Sequence, residues 1–167
     1  MVLFSPSLRT SHKFRVQKEV TRLFKYALFT FGGLFLGGLF TNPGTASEWY
    51  ASLDKAPWTP PGWVFGFAWT LIGLTWSVWA AKLCDTSRQY RARYWAIWLL
   101  NFAWNPLFFA AHDTLAAGLV IFVLLALVVE ALVRTHRDHK KTSLWVVPYA
   151  LWLTVASSLN WYVILAN

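Results

Sequence analysis

The residues best suited to chemistry in this sequence are tryptophans, and amides set inside apolar segments. Of its 12 tryptophans, Trp49, Trp58, Trp63 and Trp69 fall in one stretch, WYASLDKAPWTPPGWVFGFAW at 49–69, with Pro57, Pro60 and Pro61 among them. Indole is broad and apolar with a single N–H. It suits a membrane interface or the wall of a ligand cavity. Helical spacing sorts other aromatics into stripes. Phe65, Trp69, Trp76 and Trp79 form one. Trp95, Trp98, Phe102 and Phe109 form a second, with Asn101, Trp104 and Phe108 on the adjacent face. Trp145, Tyr149, Trp152, Ala156 and Asn160 form a third. Interfacial belts and helix packing account for many of these rings. The sharper reading is a cavity for a large, flat, apolar ligand, with Trp63, Trp104 and Trp152 in its wall.

Asn101, Asn105 and Asn160 lie within apolar segments, where hydrogen bonding between helices is reason enough for an amide. Asn101 is also close enough to Pro106 to serve a carbonyl that the proline frees. Glu130 stands four residues before Arg134, the spacing of a helical ion pair. Conventional catalytic sets are missing. His12, His112, His136 and His139 fall in tails or loops, and no metal-ligand spacing emerges from them. Neither paired acids, nor a phosphate-binding loop, nor a Ser/His pair is present. Near-absence of charge inside the apolar runs argues against an ion-driven pump. Cys84 is alone, so no internal disulfide forms.

The elements that must position these residues are membrane helices. The chain is 57% hydrophobic and 13% charged, and its charges cluster between long apolar runs, as in a polytopic membrane protein. The net charge of +8 follows the positive-inside rule rather than a nucleic-acid surface. Five spans are predicted: 23–40, 60–83, 92–111, 115–133 and 143–165. Basic residues alternate between the connecting segments, which places the N-terminus inside and the C-terminus outside. Asn42-Pro43-Gly44 is expected to end the first span, and Thr59 to cap the second with Pro60 and Pro61 in its first turn. Gly33 and Gly37 in the first span have the spacing that lets helix backbones approach closely. Residues 1–22 read as a basic cytoplasmic tail rather than a targeting segment, and 23–167 as one transmembrane domain. No long internal repeat supports an inverted-repeat transporter.

Three motifs carry a resemblance: WYASLDKAPWTPPGWVFGFAW at 49–69, LNFAWNPLFF at 100–109 and PYALWLTVASSLNWYVILAN at 148–167. In order and spacing the chain resembles the TspO/MBR family of tryptophan-rich sensory and mitochondrial translocator proteins, from about Gly32 onwards. The resemblance implies a five-helix bundle, usually dimeric, that binds porphyrins, sterols or benzodiazepine-type ligands in a pocket. It implies that Trp63 and Trp152 are the pocket tryptophans of porphyrin chemistry. By the same match Trp49, Tyr50, Asn101, Trp104, Ala156 and Leu159 line or cover the pocket, and Ala92 and Ala96 belong to a dimer interface. Departures are Ala116, Val120 and Phe67, and the lack of a basic residue after Tyr162, which the animal cholesterol motif requires. The expected ligand is therefore a porphyrin or haem-type tetrapyrrole, with no resident cofactor and no metal. A bacterial membrane is expected rather than the mitochondrial outer membrane. Binding and sensing is the leading expectation. Light- and oxygen-dependent porphyrin breakdown, tetrapyrrole or lipid transport, and a purely structural role are the alternatives.

Overall fold

The structure is a computed structural model that describes the backbone from Pro6 to Asn167 and side chains from Phe14. It is helical throughout, with α1 (Pro6–Thr45), α2 (Glu48–Ser52), α3 (Gly62–Leu83), α4 (Arg88–Phe109), α5 (Thr114–Asp138), α6 (Lys140–Ser143) and α7 (Val147–Ala166). The long helices α1, α3, α4, α5 and α7 form a ring. α1 packs between α3 and α4, α5 between α4 and α7, and α7 closes on α3 over a shorter seam. Phe14–Thr45, Gly62–Leu83, Thr114–Asp138 and Lys140–Ala166 are each long and apolar enough to cross a membrane. α4 opens with Arg88, Arg91 and Arg93, which lower its mean hydropathy. At 22 residues it is as long as α3, and it runs beside α1 and α5 in the ring. The chain is a multi-pass membrane protein built on a five-helix bundle.

Helix ends depart from the sequence reading in two places. Asn42-Pro43-Gly44 does not end α1, which continues to Thr45 with Pro43 inside it. A proline this close to a C-terminus forfeits one hydrogen bond, and few residues beyond it need the ladder. Thr59 does not cap α3. Its hydroxyl and its N–H both turn back to the Ala56 carbonyl, at 2.6 and 2.9 Å, and Pro61 is the N-cap residue, in extended backbone. A residue before proline is pushed out of the helical region, so the Pro60-Pro61 pair delays the helix to Gly62.

Other ends follow local chemistry. The Ser47 hydroxyl accepts from the Tyr50 N–H at 3.1 Å to start α2, and Asp113 accepts from the Ala116 N–H at 2.8 Å to start α5. Between α4 and α5, His112 takes φ 55°, and the Asp113 N–H reaches the Leu107 carbonyl at 3.0 Å. Histidine thus occupies the left-handed backbone position that glycine usually fills where a helix ends.

Gly33 and Gly37 lie against α4. A Cβ on Gly33 would run into the Trp98 Nε1, and one on Gly37 would come within 2.8 Å of the Asn105 Nδ2. Gly32 and Gly38 have nothing within 4 Å. The spacing seen in the sequence is thus the close approach of α1 to α4.

At the end of the bundle rich in basic residues, Asp85 ties α1 to the α3–α4 connection. Its carboxylate accepts from the Tyr26 hydroxyl at 2.7 Å and Lys25 at 3.1 Å, and pairs with Arg22 at 3.4 Å. Burial alone would raise this carboxyl. The hydroxyl and the two cations outweigh it and hold the group below its usual range. Glu130 pairs with Arg134, as its spacing predicts, and also takes a two-pronged contact from Arg93 at 2.6 and 2.8 Å. That contact joins α4 to α5.

Candidate functional site

The seam between α3 and α7 gathers the aromatic side chains of most interest. Trp152 of α7 packs edge-on to Phe65 and Trp69 of α3, with ring centroids 5.2 and 6.5 Å apart. Ala156 and Leu159 follow at the i+4 and i+7 positions of the same α7 face and are half-buried. Trp152 is 9% exposed, yet its buried indole N–H has no hydrogen-bond partner. An orphaned donor in an apolar interior costs about 1–3 kcal/mol, so an acceptor brought to this atom would recover that cost.

Asn101 enters the same interior from α4. It lines a small cavity with Thr30, Gly33, Trp69, Trp76 and Tyr149, about 20 Å³ in volume. That is room for a water molecule and no more. Trp69 joins this cavity to Trp152 across the seam. The carbonyl that Pro106 leaves without its helical donor is that of Phe102, and Asn105 turns elsewhere. Its side chain donates to the Asn101 carbonyl at 3.0 Å and accepts from the Thr41 hydroxyl at 2.7 Å.

Trp104 sits one turn further along α4. Its N–H donates to the Asn160 side chain at 2.8 Å, and Asn160 donates to the Thr114 carbonyl at 3.2 Å. One amide thus bridges α4, α5 and α7, the structural role that an asparagine in an apolar helix predicts. The Trp104 ring stacks on Phe108, centroids 5.0 Å apart. Trp49 and Tyr50, on α2, cover this end of α4. Trp49 meets Phe108 edge-on and stacks on the His112 ring at 4.0 Å with planes 9° apart. Tyr50 packs against Phe109, and the Lys55 ammonium lies over its ring at 4.7 Å.

The loop from Leu53 to Pro61 is fastened over the end of α7. The Trp58 N–H donates to the Ser158 hydroxyl at 3.2 Å and its ring meets Tyr162 edge-on. The Asp54 N–H donates to the Asn167 side chain at 3.0 Å, which returns a bond to the Asp54 carbonyl at 3.3 Å. The loop is therefore fastened to the last turns of α7 by a few bonds. Sequence reasoning missed these fasteners, and also the stacked His112.

Of the expected site residues, the structure brings Trp152, Ala156 and Leu159 together, with Asn101 one ring away. Trp104, Trp49 and Tyr50 form an adjoining cluster around Phe108 and Phe109. Trp63 stands apart, in the first turn of α3 at 73% exposure. It shares the outward face of that helix with Phe67 and Leu74, which are also exposed. Ala92 and Ala96 lie exposed on the outer face of α4. Among the described residues no group of three or more metal-ligating side chains occurs.

Comparison with known proteins agrees with this architecture. The chain is 37% identical over 138 residues to the tryptophan-rich protein TspO of Archaeoglobus fulgidus, covering 80% of this chain and 88% of that one. It is 35% identical over 133 residues to protein CrtK of Rhodobacter capsulatus, covering 75% and 81%. To the human translocator protein it is 29% identical over 138 residues, covering 78% and 81%. Residues 26–165 match the TspO/MBR family, so five membrane helices closed around an aromatic interior make this chain a member of the TspO/MBR family.

Proposed function

We propose that the protein binds porphyrin-type tetrapyrroles in the α3–α7 seam, as a membrane receptor or sensor. The observation that carries this reading is the unpaired N–H of Trp152, set among Phe65 and Trp69. A tetrapyrrole brings a flat ring for the aromatic walls and carboxylate oxygens for the unpaired donor. The closed cavity of about 20 Å³ is far below the hundreds of Å³ that a ligand of this class needs. Binding therefore parts the seam, and the loop from Leu53 to Pro61 releases Ser158 and Asn167 as it does so. Trp104, Trp49, Tyr50, Asn101, Ala156 and Leu159 wall the opened space. The N-terminus lies inside and the C-terminus outside a bacterial membrane, and two copies pair through the Ala92–Ala96 face of α4.

Porphyrin breakdown is the second reading, with Trp63 and Trp152 as the reactive indoles. It asks both to face one ligand, whereas Trp63 here projects from the opposite side of α3 to Phe65 and Trp69. That placement favours binding as the primary activity.

The test is tryptophan-fluorescence quenching by protoporphyrin IX in nanodiscs, in the dark and then under light. Saturable quenching is expected, weakened about tenfold in Trp152→Phe, the cost of one lost hydrogen bond. Trp63→Phe should bind nearly as well as wild type. Absence of saturable quenching in folded protein rejects the tetrapyrrole. A light-dependent product that disappears in both variants would instead establish breakdown.

A further inference from the structure

An unbroken file of oxidisable rings leads from the seam to the basic end of the bundle. Trp152 meets Trp69 at 6.5 Å, Trp69 meets Tyr149 at 6.1 Å, and Tyr149 meets Trp76 at 5.4 Å, centroid to centroid. At Trp76 the file forks. One branch runs to Trp79, stacked at 4.2 Å with planes 9° apart, and on to Tyr90 at 5.9 Å. The other runs to Tyr94 at 6.3 Å and on to Tyr26 at 5.1 Å. From Tyr149 to both ends every ring is at most 5% exposed. Between Trp69 and Trp79 the file climbs ten residues of α3, about 15 Å.

Both branches end in the same way. The Tyr26 hydroxyl donates to Asp85 at 2.7 Å, and the Tyr90 hydroxyl donates to Asp138 at 2.8 Å. A phenol that loses an electron becomes strongly acidic, and each of these has a carboxylate already in place to take its proton. Packing alone explains buried aromatics. It does not explain why both branches finish on a tyrosine–carboxylate pair at the bundle's charged end.

We infer that this file is a hole-transfer relay, carrying oxidising equivalents from Trp152 to the tyrosine–carboxylate pairs Tyr26–Asp85 and Tyr90–Asp138. A one-electron photo-oxidant in the seam, of which an excited tetrapyrrole is one class, takes an electron from the Trp152 indole and is itself reduced by one electron. Trp69 refills Trp152, and the vacancy moves ring by ring to Trp76 and along either branch. Tyr26 or Tyr90 gives up the last electron while its proton passes to Asp85 or Asp138, leaving a neutral tyrosyl radical and a carboxylic acid. A thiolate in the water at that end returns the electron and becomes a thiyl radical, while the carboxylic acid returns the proton, which restores the phenol and the carboxylate. The relay drains oxidation away from the ligand site. A side path through Trp95 and Trp98 reaches no carboxylate.

Entry at Trp152 rests on the reading of the seam as the ligand site, but the relay can be tested without any tetrapyrrole. A ruthenium polypyridyl photo-oxidant is attached to Val155→Cys, one turn from Trp152, in a Cys84→Ala background. Flash-quench oxidation in nanodiscs is followed by transient absorption and by electron paramagnetic resonance. The parent protein should accumulate tyrosyl radical. Trp69→Phe and Trp76→Phe should each cut its yield about tenfold, because hop rates fall exponentially when a step is lengthened. Tyr26→Phe with Tyr90→Phe should abolish it and leave tryptophanyl radical behind. Tyrosyl yield unchanged in folded Trp69→Phe protein overturns the relay, as does a parent whose radical stays on tryptophan. Trp69 is only half-buried, so that variant keeps the test decisive if Trp76→Phe fails to fold. Failure of porphyrin binding leaves this outcome untouched, and failure of the relay leaves binding untouched.

Discussion

Trp104 and Trp152 are the same residue type in neighbouring positions of one interior, and hydrogen bonding separates them. The Trp104 N–H is spent on Asn160, whereas the Trp152 N–H has no partner. Phenylalanine at either position removes the same ring and the same N–H, so comparing the two isolates the hydrogen bond. Trp104→Phe should lower the thermal stability of the ligand-free protein in detergent by about 1 kcal/mol more than Trp152→Phe does, the order of one interhelical hydrogen bond in a membrane protein. Equal losses would mean that the Asn160 bridge contributes nothing. The asymmetry also separates the two jobs that a buried indole can have. One holds the helices together, and the other, on the proposed reading, meets a ligand.

Among the elements, α1 shows how much a glycine's side of the helix matters. Gly33→Ala drives a methyl group into the Trp98 ring, which is fixed by its own bond to the Phe29 carbonyl at 2.9 Å. It should destabilise the protein by about 1–3 kcal/mol, the usual range for overpacking. Gly32→Ala meets nothing and should be neutral or stabilising by about 0.5–1 kcal/mol. Melting temperatures of the two variants side by side check both signs. The sequence carried this distinction in outline, since Gly33 and Gly37 stand four apart and so share a face. The long helices and the aromatic stripes were equally legible, because burial and helical period write themselves directly into residue order. Helix ends were less so. Whether Thr59 caps or folds back depends on a Pro60-Pro61 pair whose backbone preference competes with the cap, and local chemistry allowed both. The partnerships Trp58–Ser158, Asp54–Asn167 and Trp104–Asn160 were not legible at all. Each joins residues more than fifty positions apart, and nothing local fixes such a distance.

At the scale of the whole molecule, Asp85 fastens the basic end. Its carboxyl is held below its ordinary value of 3.8, so the folded protein binds that proton more weakly than the unfolded chain. The stabilisation is present above the unfolded pKa and is lost as pH falls through the depressed folded value. Thermal stability should therefore fall as the pH drops below about 4, across the acid window where the folded group takes up its proton. Asp85→Asn should be less stable at neutral pH and flatter across that window. A variant whose acid profile matches wild type would remove Asp85 from the account.

The length of α1 has a mechanical meaning. Its 40 residues extend about 60 Å, twice the roughly 30 Å of a bilayer's hydrocarbon core. The excess at its N-terminal end is one continuous helix with the wall that carries Thr30 and Gly33 to the interior cavity. Asp85, gripping Arg22, Lys25 and Tyr26, sits where a fulcrum would. A sideways push on the overhang is thus delivered, with leverage, to the inside of the bundle, and a wedge driven into the bundle swings the overhang in return.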